Sequence, residues 1–354
     1  MKNLNNRNAM LKVDDNHGLA SVEALYKQCE QAWSEARKVE LPKEYANVQN
    51  IVVCGMGASW IGAHIIQSFF ADELSIPLTI LHDYQLPAFV GKKTLVIASS
   101  YSGTTEETVS ALHGANKKGA RIITISSGGT LLEFSREHRL PNYTFEATHN
   151  PADSPRLGLG YSMTALLALF VNLNFITITH EEMSAAINHL KMRTAELMPE
   201  SEKNEAKTMA QAFTAHIPIL VSGSFLYGNA HLFSNQFNET AKTFATYMHL
   251  PELNHHLMEG LGHPESVKKL KFLFLETLFD DELIQKRFAV TKEVVEKNGI
   301  KHLSYKARGA TKIVQAFDLV LFGSFVTYYL AMLHDENPTP NPWVDYFKKR
   351  LKEI

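Results

Sequence analysis

Cysteine is scarce in this chain, with only Cys29 and Cys54 among 354 residues. A disulfide framework cannot be built from two cysteines, and a reducing, cytoplasmic home is expected. Surplus charge of one sign is missing as well. Thirty-five Lys and Arg stand against 37 Asp and Glu, a formal net charge of -2. Nothing is left over to neutralise a phosphate backbone, which excludes nucleic-acid binding as the main role. The N-terminus, MKNLNNRNAMLKVDDNHG, lacks both the apolar run of roughly 7 to 15 residues and the small-residue cleavage site of a secretory signal. Apolar stretches such as Ala165–Val171 fall short of the roughly 20 residues a membrane helix needs, so a soluble protein with no membrane partner is expected. What the sequence does have is a globular balance of 45% hydrophobic and 20% charged residues, enough to bury a core over most of its length. At roughly 100 to 200 residues per domain, it is comfortable for two.

Residues 17–38 place Leu19, Val22, Leu25, Tyr26, Cys29, Ala32 and Trp33 at helical spacing, which predicts one amphipathic helix packed on a later domain. A strand and helix rhythm follows. Asn50–Cys54 is a short apolar run ending in glycine, the pattern of a buried parallel strand. Pro77–His82, Thr94–Ser99 and Arg121–Ser126 repeat it, with helices predicted over 61–70 and 105–118. Residues 161–211 are predicted mostly helical. The rhythm restarts at Ile217–Ser222, with a helix over 228–247, a strand at Lys271–Glu276, a helix over 281–298, a strand at Lys301–Tyr305 and a helix over 313–333. The expected fold is therefore α/β, two similar sandwich units with parallel sheets flanked by helices. Their boundaries are a helical extension over 1–48, a first unit over 49–160, a helical connection over 161–214, a second unit over 215–335, and a tail over 336–354.

Two strand-to-helix turns carry chemistry. Gly55-Met56-Gly57-Ala58-Ser59-Trp60-Ile61-Gly62 lets the backbone approach an anion at a helix start, where free N–H groups and the dipole favour negative charge. A dinucleotide fingerprint would need a third glycine where Trp60 stands; only Asp83, placed where a ribose-binding acid would lie, keeps a nicotinamide reading open. Ser100-Tyr101-Ser102-Gly103-Thr104-Thr105-Glu106-Glu107 offers four hydroxyls, neutral donors suited to a small phosphate monoester. Thr104 and Glu107 also have capping-box spacing. Loops at the carboxyl ends of neighbouring strands would face one crevice, and Ser126-Ser127-Gly128-Gly129-Thr130 is expected on the same rim.

The GMGAS turn followed by SYSGTTEE resembles the sugar isomerase (SIS) domain, a phosphosugar-binding α/β fold. The later motifs are similar to those of the bifunctional phosphoglucose/phosphomannose isomerase family. They are Ser154-Pro155-Arg156, Asn238-Glu239-Thr240-Ala241-Lys242, Pro251-Glu252-Leu253-Asn254-His255, and Asn337-Pro338-Thr339-Pro340 leading to Val344-Asp345-Tyr346-Phe347-Lys348-Lys349-Arg350-Leu351. The likeness runs from about residue 50 to the end. It implies interconversion of glucose 6-phosphate, and of mannose 6-phosphate, with fructose 6-phosphate through a cis-enediolate, without metal or other cofactor. It departs from the family at Ala58, where a glycine is usual, at His64, near which the family usually has an aspartate, and at His256, where an asparagine is usual.

Moving a proton between C1 and C2 of a phosphosugar needs a phosphate anchor, a ring-opening group, a base and a cation near the enediolate. The resemblance implies Gly57, Ala58, Ser59, Ser100, Ser102 and Thr105 for the anchor. It implies Glu239 as base, His255 as the ring-opening acid/base reaching a neighbouring subunit's site in a homodimer, Arg156 as the cation, and Lys348 as a tail contact. Independently, Glu239 falls in a predicted helix whose other face is apolar, with Phe233, Phe237 and Phe244, walls of the kind that suit a base. The plainer alternative is an i, i+3 pair with Lys242 on a solvated face. His249, His255, His256 and His263 fall close together, but their spacing fits neither a helical zinc motif nor a Cys/His site. A non-catalytic phosphosugar sensor is the rival from another class, though no effector module is attached. An amino-sugar phosphate isomerase would call for an ammonia-supplying domain, for which the chain has no room.

Overall fold

The computed structural model describes residues 3–353. Three helices lead in: α1 (Arg7–Met10), α2 (Gly18–Glu23) and α3 (Leu25–Ala36). The helix expected over 17–38 thus breaks at Ala24, and α3 packs on a later helix, Leu159–Asn172. The first α/β unit comprises β1 (Asn50–Cys54), α4 (Ala58–Phe69), β2 (Leu78–Leu81), β3 (Thr94–Ser99), α5 (Glu106–Lys117), β4 (Arg121–Ser126), α6 (Gly129–His138) and β5 (Asn142–Thr144). The helices α7 (Leu159–Asn172), α8 (His180–Leu197) and α9 (Glu205–Phe213) connect it to the second. That unit comprises β6 (Ile217–Ser222), α10 (Tyr227–Glu239), β7 (Thr246–His249), β8 (Leu270–Glu276), α11 (Glu282–Lys297), β9 (Lys301–Lys306) and α12 (Lys312–His334), followed by α13 (Pro342–Leu351).

Both sheets are wholly parallel. Their orders are β2-β1-β3-β4-β5 and β7-β6-β8-β9, so β1 and β6, β2 and β7, β3 and β8, and β4 and β9 correspond. Cys54 lies opposite Ala98 in the first register and Ser222 opposite Leu275 in the second. Central strands covered on both faces must be apolar throughout, and all six residues of β3 are buried. In the second unit the backbone leaves the helix expected over 228–247 after Glu239 and adopts β7 instead. Lys242 takes a left-handed conformation (φ 52°), and the Thr243 N–H closes on the Phe237 carbonyl. Beyond it, Thr246 to His249 pair with β6 as an edge strand.

One large core runs through both units. Its axis is α12, apolar on all sides because it is buried on all sides. Contrary to the expectation that no such stretch exists, α12 is long and apolar enough to cross a membrane, yet 94% of its apolar window is buried in this core. The two units also meet through α4 and α10. A Cβ on Gly228 would sit 2.6 Å from the backbone of His64 and Ile65, so glycine is what permits this helix pair to touch. The contact matters because the start of α4 and the end of α10 carry the two halves of the candidate site.

Candidate active site

The first half of the candidate site is a pair of loops at the starts of α4 and α5. Neither Gly57, which precedes α4, nor Thr105, which precedes α5, makes a side-chain cap bond. The capping box expected from Thr104 and Glu107 is therefore not formed, because the helix starts one residue later than that spacing assumes. The opening N–H groups of both helices have no intrahelical acceptor. Hydroxyls tie the two loops together: Ser99 Oγ donates to the Ser59 carbonyl (2.6 Å), and the Tyr101 N–H donates to Ser59 Oγ (3.0 Å). Ser59 is consequently buried and occupied. Ser100 Oγ lies 2.8 Å from Thr105 Oγ1 and accepts from the Gly103 N–H, while exposed Ser102 pairs with Thr104 at 3.0 Å. Gly103, at φ 73°, presses so closely on Gly128 that a Cβ would lie 1.8 Å from the Gly128 carbonyl oxygen. The Ser126–Thr130 turn thus buttresses the loop from behind: Ser127 gives both its N–H and its Oγ to the Tyr101 carbonyl (both 2.8 Å).

The second half shares a narrow cleft with the start of α4, lined by Gly57, Ala58, Ile61, Arg156, Leu159, Leu232, Asn235, Gln236 and Glu239. Its free volume, about 10 Å³, holds about one water. Glu239 is the last residue of α10 and is half-buried. Phe233 and Phe237 are fully buried in the core, but Phe244 is 70% exposed and is no wall of the site. Lys242 does not pair with the Glu239 carboxylate; it donates to the Glu239 backbone carbonyl at 2.6 Å.

Arg156 sits in a short 3-10 turn, Pro155–Leu157, and is 9% exposed. Burial pushes its pKa down, while Glu239 and Asp345 pull it back up. Nη1 donates to Ser154 Oγ (3.1 Å) and Nη2 to the carbonyls of Pro338 and Thr339. Only Nε has no partner among the described residues. The guanidinium therefore anchors the tail while placing a fixed positive charge at the cleft. On the other side of Glu239 the tail forms the wall of an open groove of about 470 Å³, with Asn238, Lys242, Asn337, Pro340, Asn341 and Trp343 lining it.

His255 and Lys348 do not line the cleft of their own chain. His255, itself exposed, ends the turn Glu252–His255, and Lys348 stands on α13, which has no buried residue. The clustered histidines do not converge: His249 turns to Tyr227 and Ser224, whereas His256 and His263 are exposed. Among the described residues no group of three or more His, Cys, Asp and Glu is placed to hold a metal ion. His64, the departure on α4, instead meets His231 of α10, Nδ1 to Nδ1 at 3.1 Å, in a nest with Trp60, Tyr227 and Tyr247. Burial, reinforced by His82 and His249 around His64 and by His64 and His82 around His231, pushes both to about 4. The neutral pair ties the two units beside the site.

Sequence reasoning passed over Asn235, Lys242 as a tail contact, and Asn341. Asn235 was legible, since it lies four residues before Glu239 and so on the same helical face. The tail contacts were not, because no local pattern announces that residues a hundred positions apart meet.

Residues 202–351 match the family model described as the bacterial phospho-glucose isomerase C-terminal SIS domain. The chain is 33% identical over 342 residues to the bifunctional phosphoglucose/phosphomannose isomerase of Caldicellulosiruptor bescii, covering 94% of this chain and 98% of that one. It is 28% identical over 337 residues to the protein of the same description from Aquifex aeolicus, covering 94% and 99%. Among solved structures, a glucose-6-phosphate isomerase like protein from Thermus thermophilus superposes with a TM-score of 0.62 at 18% identity, covering 99% of both chains. That last likeness is one of fold.

Proposed function

The chain belongs to the bifunctional phosphoglucose/phosphomannose isomerase family, and from that premise we propose that it interconverts glucose 6-phosphate, and mannose 6-phosphate, with fructose 6-phosphate. One observation carries the reading: Glu239 and Arg156 share a cleft with Gly57 and Ala58, the start of the uncapped α4. A phosphate seated on the α4 and α5 starts, among Ser100, Ser102 and Thr105, leaves the sugar pointing toward the carboxylate. The buried backbone of Ser59 fixes the two loops, and the N–H groups at Gly57 and Ala58 supply the neutral donors. Glu239 removes the proton from C2 of the aldose and returns it to C1 through a cis-enediolate. The Arg156 charge, held by the tail, favours the negative charge that develops there.

In this reading His255 opens the sugar ring in the site of a second copy, which accounts for its exposure in its own chain. A homodimer is further supported by the apolar residues of α13, where Trp343, Phe347 and Tyr346 are 82%, 62% and 59% exposed, more than an isolated chain commonly leaves in water. Lys348 on the same helix would come to the site in that assembly. A cytoplasmic, metal-free enzyme completes the proposal.

Turnover of glucose and mannose 6-phosphates by the purified protein tests it, followed through fructose 6-phosphate in a coupled assay. Glu239→Gln is expected to lower kcat by about 10²- to 10⁴-fold while phosphosugar still binds. Retained turnover in that variant would overturn the base assignment. Binding without turnover in the unaltered protein would favour a phosphosugar sensor.

A further inference from the structure

Lys242 stands three residues beyond the end of α10 in a left-handed backbone conformation, φ 52°. Glycine is the residue that adopts such a conformation freely, because a Cβ is strained there. A lysine persists only where its side chain is held by its surroundings. Here the ammonium has three N–H groups and three acceptors: the Glu239 backbone carbonyl at 2.6 Å, the Pro340 carbonyl, and Asn341 Oδ1 at 3.3 Å. Burial and the neighbouring Arg156 push its pKa down to about 8, against the pull of Glu239 and Glu336. It is charged at neutral pH.

Arg156 grips the two preceding carbonyls, Pro338 and Thr339. Two cations from separate elements thus hold four consecutive tail residues against the end of α10. The last of these, Asn341, has both ends of its amide engaged. Its Oδ1 faces the Lys242 ammonium, so its Nδ2 must face the other way, and it lies 3.4 Å from Glu239 Oε2. The lysine, a donor only, decides which way the amide points, and the amide's N–H then decides which Glu239 oxygen remains free toward the cleft.

We propose that Lys242 is a positioning residue for the isomerisation, orienting the Asn341 amide so that it aims the Glu239 carboxylate. The inference rests on the reading of Glu239 as the base. It also accounts for a lysine where glycine would fit the backbone better.

Three variants, Lys242→Gly, Asn341→Ala and their combination, test it in the full chain with fructose 6-phosphate as substrate, with Lys242→Arg as the conservative control. Lys242→Gly suits the left-handed backbone, so the fold is expected to persist by circular dichroism. Its kcat is expected to drop about 10- to 100-fold with KM changed less than about 3-fold, the split expected when a catalytic group is misplaced. Asn341→Ala should match it, and the double variant should fall no further than the worse single, because both act through one contact. Lys242→Arg should recover most of kcat. The proposal is overturned if Lys242→Gly keeps kcat within about 2-fold of the unaltered chain, if the two defects multiply, or if the loss follows the unfolded fraction. Glu239→Gln is measured alongside. If it retains activity, the base reading fails by itself; if it is inactive while Lys242→Gly is fully active, only the role of Lys242 falls.

Discussion

In the first α/β unit the loops after β1 and β3 leave the starts of α4 and α5 without side-chain caps. In the second unit the corresponding loop after β8 ends in two acids. Asp281 caps α11 by accepting from the Ile284 N–H, and Asp280 lies buried against Gly223, the glycine that follows β6. A phosphate entering there would meet two carboxyl groups where the first unit offers hydroxyls and free N–H groups. The sheets and registers correspond, so the difference lies in a few residues at the carboxyl ends of matching strands. One architecture is used twice: under the proposed function, once to hold the phosphate and once to present Glu239 from the end of α10.

The comparison breaks most readily at its glycines. Gly103→Ala puts a Cβ 1.8 Å from a backbone oxygen at φ 73°, whereas Gly223→Ala meets a side-chain carboxyl at 2.5 Å with no left-handed strain. Steady-state kinetics should show kcat/KM falling on the order of 100-fold or more in the first variant, because the loop proposed to hold the phosphate must move. The second should cost about 1 to 3 kcal/mol of stability by overpacking, seen as a lower melting temperature, with kcat/KM almost unchanged.

A smaller effect sharpens the division. Ser100→Ala removes the hydroxyl that joins Thr105 to the Gly103 N–H, and KM for fructose 6-phosphate should rise about 3- to 10-fold, the worth of roughly one hydrogen bond. Asp281→Ala removes a cap of the second unit, so denaturant titration should show a loss of about 1 kcal/mol with KM unmoved. If Asp281→Ala alters KM and Ser100→Ala does not, the two units have been assigned the wrong way round.

The mildest test concerns pH. Burial pushes the Asp280 carboxyl up to about 7, helped by Asp281 and Glu276. The folded chain then holds this proton more tightly than the unfolded chain, whose carboxyl titrates near about 4. The contribution to stability is present below pH of about 4 and is lost as pH rises to about 7. Asp280→Asn removes the titration. Its melting temperature relative to the unaltered chain should therefore climb between pH 5 and 7 and level off above.

The α/β rhythm was legible because buried parallel strands write continuous apolar runs, and Thr94–Ser99 and Arg121–Ser126 emerge with the bounds their runs suggest. Two short elements were not legible, although four-residue β2 was announced by its apolar run. β5 and β7 are three and four residues long, too brief for periodicity, and the helix expected to run through Tyr247 gave way to β7 once Lys242 turned left-handed. The two loops at the starts of α4 and α5 were readable from glycine and hydroxyl spacing, and Asn235 from its distance to Glu239. The tail's grip on Arg156 and Lys242 was not, since carbonyl acceptors carry no residue signature. His255 and Lys348 stand away from the cleft of their own chain, and only under the proposed function would a second copy bring them to it.

The division of labour is tested most directly by solvent exchange, followed by proton NMR of fructose 6-phosphate in heavy water. Glu239→Gln is expected to bind the phosphosugar with an unchanged Kd but to incorporate no deuterium at C1, while Ser100→Ala incorporates it at saturation and binds more weakly. Deuterium entering C1 at the unaltered rate in Glu239→Gln would contradict the assignment of proton transfer to the second unit.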